Sequence, residues 1–394
     1  MYGKSVILIV AVIVAILWIP VSYRVEHAGV NRKFQPMLRG KAASVQLGGC
    51  EDLDFHAASG VIYGACAHKT FQHRTKWFPP TGKFASEDGA HFKESDGLFI
   101  IDPKTDKVTQ LTLKDFKSDK NPRGIFKAHG LSTFSRPDEP NTVYIHAVNH
   151  YASKEDGFTY HPRIEIFKHQ TGDSHVDHIE TVEHPLIRTP NDVLALSEKS
   201  FYVTNDHKHL GQGFFSHMMR FVEDLSFIGM SDVILREDSG RVRVIVRDLP
   251  TPNGICRGPG NVIIINSAVA GIMHVFEQRM DLALSKKAAQ QLPSAIDNPS
   301  YDNSTNTYYQ IGHIDILKFL EAAGNVQKKS PVAVYRVTDN QGESQFFGER
   351  FIVKKIYEGE GKLVNAATVA VRVPSLKKLY VSGLYGPTIA VLSE

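Results

Sequence analysis

The sequence predicts an all-β fold that is preceded by an N-terminal hydrophobic helix. Across residues 46–394, short runs rich in β-branched and aromatic side chains recur between clusters of turn-forming residues, which is typical of β-strands. Several runs occur in pairs joined by a polar turn, as in residues 98–102 followed by 108–113. With 42% hydrophobic and 22% charged residues among 394, the chain has the composition of a folded protein with a large core.

Repeated strand pairs of this kind predict the blades of a β-propeller, whose loops over a central channel supply the site. The same periodicity also fits a β-sandwich or two β domains. No linker rich in Gly, Pro or Ser interrupts residues 46–394, and this favours one domain. Only residues 280–291 and 314–323 carry a helical pattern.

Three further segments complete the predicted organisation. Residues 1–23 are assigned to a membrane anchor and residues 24–45 to a tether. Residues 68–95 are polar and include Pro79-Pro80, so we expect a long surface loop or lid there.

The anchor prediction rests on the length of the apolar run. The 19 residues from Ser5 to Tyr23 would span roughly 28 Å as a helix, close to the hydrocarbon thickness of a bilayer. A cleaved signal peptide is the alternative, but no convincing small-x-small cleavage pattern follows, so we favour an uncleaved signal anchor. Basic residues flank the run on both sides and leave its orientation open.

Asn303 begins the tripeptide Asn-Ser-Thr, which is a glycosylation acceptor. It would be used only if the body of the protein lies in the lumen or outside the cell. The expected location is a membrane of the secretory pathway with that orientation.

Composition and motif content exclude several classes of function. The net charge is +3 and is spread along the chain, so a nucleic-acid partner is not expected. Cys50, Cys66 and Cys256 are too few for a zinc knuckle, although one bridge and one free thiol remain possible. The sequence contains no Gly-x-Ser-x-Gly elbow, P-loop or Gly-x-Gly-x-x-Gly, which gives no local support for a serine hydrolase or a nucleotide cofactor.

Oxygen donors and histidines recur beside turns that adjoin apolar runs. The five clusters are Glu51-Asp52; His129-Gly130-Leu131 with Asn149-His150; Asn191-Asp192 with Asn205-Asp206-His207; Asn253-Gly254; and Asp297-Asn298. Carboxylate and amide oxygens are ligands of Ca²⁺, whereas Zn²⁺ would require Cys or His at closer spacing. Turn chemistry alone explains any single pair, and it is the recurrence that favours calcium.

Two of the histidines flank one short segment. His129 and His150 stand on either side of residues 131–147, so a hairpin could bring them together. The second ring would then orient and polarise the first as a general base acting on water. A structural, hydrogen-bonded role is the alternative for each histidine.

The clusters, taken in order, are similar to those of a known family. The segments concerned are GCEDLD at 49–54, FKAHGLSTF at 126–134, VNH at 148–150, NDVLAL at 191–196, VTNDH at 203–207, NGI at 253–255 and DN at 297–298. From about residue 47 to the C-terminus, the chain resembles the serum paraoxonase/arylesterase family. The resemblance implies a six-bladed β-propeller with two Ca²⁺ ions in its central tunnel, one catalytic and one structural.

The resemblance also implies roles for individual residues. The residues that it places on the catalytic calcium are Glu51, Asn191, Asn253, Asp297 and Asn298. The structural calcium would be held by Asp52, Asp192 and the backbone carbonyl of Leu131. His129 falls on the water-activating base and His150 on its partner, although Glu51 or Asp297 could also activate the water. The residues expected at the site wall or behind it are Asp206, His207 and His313.

The implied function is calcium-dependent hydrolysis of lactones and aryl esters. Calcium would polarise the carbonyl group while a water activated by His129 attacks it. The alternative is a non-hydrolytic propeller, of the strictosidine-synthase-like group or a binding scaffold, in which calcium is structural only. The expected partners are a small lactone or ester and, through the anchor, a membrane.

Two features depart from the family pattern. No Cys lies before Cys50 or after Cys256, so the family's disulfide between the N-terminal region and the chain end has no counterpart. Closure of the propeller would then rest on strand pairing alone. The segment 68–95 is also longer than the family leads us to expect. Whether Cys50 pairs with Cys66 stays open from sequence.

Overall fold

Most of the chain forms β-strands, which group into sheets around one axis. The computed structural model describes residues 22, 24–30, 32–84, 94–118, 121–153 and 159–393. In these residues, six sheets of four or five strands and one two-stranded hairpin are present. The predicted all-β, six-bladed propeller is thereby confirmed, and the sandwich and the two-domain arrangement are not.

Twenty-eight strands lie within the described ranges. In chain order they are β1 (Met37–Leu38), β2 (Lys41–Val45), β3 (Cys50–His56), β4 (Val61–Cys66), β5 (Trp77–Phe78), β6 (Lys83–Phe84), β7 (Gly97–Asp102), β8 (Lys107–Gln110), β9 (Thr112–Lys114), β10 (Ala128–Phe134), β11 (Thr142–Ser153), β12 (Thr159–Gln170), β13 (His175–Val182), β14 (Pro190–Ala195), β15 (Phe201–Asn205), β16 (Ser231–Arg236), β17 (Val242–Leu249), β18 (Pro252–Arg257), β19 (Val262–Ser267), β20 (Ile272–Gln278), β21 (Leu284–Gln291), β22 (Ala295–Asp302), β23 (Thr307–His313), β24 (Val332–Asp339), β25 (Phe351–Gly359), β26 (Ala367–Val373), β27 (Lys378–Gly383) and β28 (Ile389–Ser393).

Each blade is a sheet whose strands follow one another outward from the axis. The sheet orders are β3-β4-β7-β8, β10-β11-β12-β13-β9, β14-β15-β16-β17, β18-β19-β20-β21, β22-β23-β24-β25-β1 and β26-β27-β28-β2. The innermost strands β3, β10, β14, β18, β22 and β26 contact one another around a closed ring. The polypeptide therefore encloses a central channel lined by these six strands.

The ring is closed by pairing of the early strand β2 with the last strand, β28. Strand β2 forms the outer edge of the sixth blade and pairs antiparallel with β28, from Lys41 opposite Ser393 to Val45 opposite Ile389. Closure by strand pairing, as expected from the absent family disulfide, is thus confirmed. The prediction of a tether over residues 24–45 is wrong for its second half, because β1 and β2 complete two blades.

The core lies between neighbouring blades. One apolar cluster joins the sixth blade to the first, with Val371 and Tyr380 packed against Leu53 and Ile62. Five further clusters of the same kind separate the other pairs of adjacent blades. Packing on both faces buries all seven residues of strands such as β26.

Two short α-helices lie at the end of the channel where the innermost strands begin. Helix α1 (Phe214–Ser226) follows β15, and helix α2 (Ile316–Gly324) follows β23. Within the described ranges the 3₁₀ helices are His68–Thr75, Pro79–Thr81, Glu343–Phe347 and Pro374–Leu376. Among the described residues, no helix is long and apolar enough to cross a membrane, and the anchor predicted over residues 1–23 lies outside them apart from Ser22.

Two helix predictions have different outcomes. The pattern at 314–323 corresponds to α2. The helix indicated at 280–291 is wrong, because β21 forms the outermost strand of the fourth blade, where Lys286, Lys287 and Gln291 are exposed. Ala, Lys and Gln favour a helix, but pairing along β20 overrides that preference.

Candidate functional site

The predicted site residues lie where the innermost strands begin, at the channel end that carries the helices. Each of the six innermost strands has a register irregularity within its first few residues. The residues at these irregularities include Glu51, His129, Asn191-Asp192, Asn253 and Asp297-Asn298. In a regular strand, adjacent side chains point to opposite faces of the sheet. A bulge changes the direction of the side chains at that point. Possible ligand residues from five blades therefore come together at this end of the channel.

Among the residues predicted to bind the catalytic calcium, three buried oxygens have no hydrogen-bond partner within the described part of the chain. Asn298 donates from Nδ2 to Glu51 Oε1 at 3.0 Å. In the described part of the chain, Glu51 Oε2, Asn191 Oδ1 and Asn298 Oδ1 are all buried and unsatisfied. Burial and the carboxylates of Asp297 and Asp192 raise the pKa of Glu51 well above its usual range. A cation among these oxygens would remove the desolvation cost of leaving them unpaired.

Asn253 and Asp297 line one cavity together with Glu51 and Asn191. The Asn253 carbonyl accepts from Thr204 Oγ1 at 2.6 Å, and its side-chain Oδ1 accepts from Gly254 N at 2.7 Å. Asp297 accepts from His313 Nε2 at 3.0 Å. The structure therefore brings together all five residues predicted for the catalytic calcium.

The residues predicted for the structural calcium do not line this cavity, and their carboxylates already have hydrogen-bond partners. Asp52 accepts from the backbone N–H groups of Leu53 at 2.8 Å and Leu131 at 2.9 Å. Asp192 accepts from the N–H groups of Val193 and Ile255, both at 2.7 Å. Burial raises the pKa of both carboxyl groups; Glu51 raises that of Asp52 further, and Asp52 raises that of Asp192 further. Both carboxylates thus accept hydrogen bonds from the backbone, unlike those of Glu51 and Asp297 within the described ranges. Leu131 contacts Asp52 through its N–H group and not through the carbonyl that was predicted as a ligand.

The two predicted histidines are adjacent. The rings of His129 and His150 lie 4.8 Å apart, nearly edge to face, and His129 Nε2 is 3.6 Å from Glu51 Oε1. Burial, together with His150 and Arg74, lowers the pKa of His129 well below its usual range. Burial lowers the pKa of His150 to about 3. Both rings are therefore neutral near pH 7, and each has one ring nitrogen that can accept a hydrogen bond.

His207 stands in a different electrostatic setting. Its Nδ1 lies 3.1 Å from Asp206 Oδ1, and its Nε2 lies 2.9 Å from Asp224 Oδ1. Burial and Arg220 oppose a charge on the ring, but the two carboxylates prevail and raise the pKa of His207 to about 9. Near pH 7 this histidine is a cation at the wall of the cavity and not a general base.

Sequence reasoning missed the residues that the lid contributes. The guanidinium of Arg74 is fully buried, donates from Nη2 to the Ala128 carbonyl at 3.2 Å and lies over Phe78. The ring of Phe78 packs 5.0 Å from that of His129. The lid prediction described a polar loop, and only the Pro79-Pro80 dipeptide signalled that this segment turns back over the site.

A cavity of about 630 Å³ connects these groups to the surface. Its floor carries Glu51, His129, Asn191 and Asp297, and its walls are largely apolar. The apolar lining comes from residues 25–30, the lid and both helices, including Phe78, Phe221, Leu225, Phe227, Leu317 and Leu320. The cavity fits a small, largely apolar molecule that places one polar group on the floor.

The donor set decides which metal could fit. No three His, Cys, Asp or Glu side chains in the described ranges form a group that could hold a metal ion. The unsatisfied donors are one carboxylate and two amide oxygens, and such hard oxygen ligands suit Ca²⁺.

The cysteines resolve a question left open by the sequence. Cys50 and Cys66 form a disulfide between β3 and β4, and Cys256 is free. Because Cys50 precedes Glu51 and Cys66 precedes the lid, the bridge links a channel strand to the base of the lid. Asn303 lies exposed in the turn between β22 and β23, at the opposite end of the channel.

Comparisons with known proteins give consistent results. The family model described as Arylesterase matches residues 83–387. Serum paraoxonase/arylesterase 2 of Rattus norvegicus is 26% identical over 343 residues, which is 86% of this chain and 84% of the relative. Serum paraoxonase/lactonase 3 of Oryctolagus cuniculus is 24% identical over 326 residues, or 82% and 80% of the two chains. A luciferin-regenerating enzyme of known structure has a TM-score of 0.50 at 10% identity, covers 90% of this chain and 96% of its own, and supports the fold alone.

Proposed function

Because the chain belongs to the arylesterase family, we propose that it is a hydrolase that requires calcium and cleaves lactones and aryl esters. The relatives named for arylesterase and lactonase activity support the hydrolytic reaction. Calcium and the chemical mechanism rest on the site itself.

The observation that carries the proposal is the group of unsatisfied oxygens beside a neutral histidine. Glu51 Oε2, Asn191 Oδ1 and Asn298 Oδ1 are buried without partners among the described residues. His129 Nε2 lies 3.6 Å from the same Glu51 carboxylate. Oxygens suited to binding a cation and a neutral imidazole suited to accepting a proton therefore lie next to each other, which supports the proposal.

Glu51, Asn191, Asn253, Asp297 and Asn298 would hold the catalytic ion, which supplies carbonyl polarisation and oxyanion stabilisation when bound. We assign the second ion to Asp52, Asp192 and Leu131.

The protein's own groups supply the nucleophile. His129 accepts a proton from water, and the resulting hydroxide adds to the carbonyl carbon. The bond to the leaving oxygen then breaks, and the proton returns to that oxygen. His150 orients His129, and the apolar walls hold the rest of the substrate away from water.

A substrate screen with and without calcium tests the proposal. We expect the purified chain to hydrolyse γ- and δ-lactones and phenyl acetate, and EGTA to abolish turnover. EGTA should also lower the free energy of unfolding, by about 4 kcal/mol where free calcium had exceeded its Kd 1,000-fold. Asn253→Ala should weaken calcium affinity, whereas Asn261→Ala, at an exposed position on the opposite side of the propeller, should not.

His129→Gln separates catalysis from calcium binding. This variant should lose turnover and keep the calcium-dependent stability. Turnover that resists EGTA would contradict the metal assignment. A parent that binds calcium but cleaves no ester or lactone would instead be the non-hydrolytic propeller.

We also propose that residues 1–23 anchor the enzyme in a secretory-pathway membrane, with the propeller on the lumenal or extracellular side. The 19-residue apolar run and the exposed Asn303 acceptor support this location. In secretory cells, glycosidase treatment should increase gel mobility of the parent and not of Asn303→Gln. An unchanged parent band, together with reaction of the propeller with cytosolic probes, would contradict it.

A further inference from the structure

A buried tyrosine stands directly behind the histidine pair. The hydroxyl of Tyr160, at the start of β12, lies 2.8 Å from Nδ1 of His150. Tyr160 is 7% exposed and His150 is 2% exposed. The other ring nitrogen of His150, Nε2, has no hydrogen-bond partner in the described residues, and the His129 ring lies 4.8 Å away.

The surroundings hold this tyrosine in place. Trp77 of the lid donates from Nε1 to the backbone carbonyl of His150 at 2.9 Å. Its ring contacts the ring of Tyr160 at 6.3 Å, and Phe84 contacts both rings. Lid and hairpin therefore pack into one cluster that fixes Tyr160 against His150.

Both partners are neutral near pH 7, so their hydrogen bond determines a tautomer. Burial and the nearby Asp206 raise the pKa of Tyr160 well above its usual range, which keeps the hydroxyl protonated. Burial keeps the His150 ring neutral. A neutral imidazole carries its proton on one nitrogen only, and the bond made by one nitrogen decides the state of the other.

We propose that Tyr160 is a positioning residue whose hydroxyl oxygen accepts the Nδ1–H of His150 and so keeps Nε2 unprotonated toward His129. His150 Nε2 can then accept the N–H of His129, which leaves the second nitrogen of His129 free to take a proton from water. When that proton arrives, the positive charge shared by the two rings strengthens the bond to Tyr160. The inference rests on the proposed hydrolytic function and names a residue that the predicted site did not include.

Tyr160→Phe tests the assignment, because it removes the hydroxyl and retains the ring that packs on Trp77. We expect kcat for lactone hydrolysis to fall about 10-fold to 100-fold, as for loss of a bond to a charged group. KM and the calcium-dependent stability should stay unchanged. Tyr144→Phe is the matched control, since Tyr144 lies near the far end of β11, the strand that carries His150, and it should keep the parent kcat.

A double-mutant cycle shows whether Tyr160 acts through His150. In a His150→Gln background, Tyr160→Phe should cause no further loss of kcat. Independent, multiplicative losses, or a parent-like kcat in Tyr160→Phe, would overturn the inference.

A spectroscopic readout needs no turnover. ¹⁵N chemical shifts distinguish protonated from unprotonated ring nitrogens. The parent should show His150 protonated at Nδ1, and Tyr160→Phe should show both tautomers. Unchanged shifts would overturn the assignment, whereas shifted signals in a parent that hydrolyses nothing would reject the proposed function and retain the role of Tyr160.

Discussion

Replacing His207 with Gln should remove a pH-dependent contribution to stability. Asp206 and Asp224 raise the pKa of His207 to about 9 in the folded protein, against about 6.5 in the unfolded chain. The side chain is protonated in both states below pH 6.5, so its full stabilisation is present there. As the pH rises from 6.5 to 9, the unfolded chain loses the proton first, and the stabilisation declines to zero.

The size of this effect follows from the same two pKa values. A tenfold difference in proton affinity corresponds to ~1.4 kcal/mol, and His207 is 5% exposed, so its interaction is little screened by solvent. The parent should therefore lose about 3 kcal/mol between pH 6 and pH 10 relative to His207→Gln. Urea unfolding of both proteins in saturating calcium measures the difference at each pH. A difference that is constant or grows with pH would refute the reasoning.

Two further substitutions test the packing of the channel. Gly130→Ala would place a Cβ atom 2.4 Å from Asp192 Oδ1 and 2.6 Å from Asp192 Cα, so we expect a loss of about 1–3 kcal/mol in urea unfolding and a weaker calcium response. Gly324→Ala, whose Cβ meets no atom within 4 Å, is the control, and equal behaviour of the two would contradict this. Replacing Cys50 and Cys66 with Ser should lower the free energy of unfolding by about 3 kcal/mol, as for a disulfide that closes a loop of roughly 15 residues. Unfolding the parent in dithiothreitol should give the same loss. A variant as stable as the oxidised parent would contradict this prediction.

The position of the candidate site could be predicted from the sequence, because its residues occur in short clusters at the start of each innermost strand. Asn191-Asp192 and Asp297-Asn298 are consecutive, and each pair falls within a register irregularity of its inner strand. A bulge lets adjacent residues point to the same side. A pair of adjacent polar residues then interrupts an apolar run, and this interruption can be recognised in the sequence. The six-bladed ring itself came from family resemblance, since strand periodicity alone left a sandwich possible.

The parts that could not be predicted depend on contacts between distant segments. Helix α1 leaves apolar residues such as Phe214 and Phe221 exposed and buries Arg220 and Glu223, the reverse of the usual orientation of an amphipathic helix. Nothing local marks Arg74 or Tyr160 as neighbours of His150. They reach it only because the lid and the β11–β12 hairpin pack together at the same end of the channel.

The floor and the walls of the cavity come from different parts of the fold. The channel floor takes its donors from the innermost strands, which are held on both sides by neighbouring blades. The cavity walls take their apolar side chains from the lid and the helices inserted between strands. Replacing a wall residue such as Phe221 can therefore change the shape of the cavity without moving Glu51 or Asn298. Exchange of wall residues should consequently alter KM among lactones of different size while the calcium requirement stays the same, which is the result expected if one reaction centre serves a variable pocket.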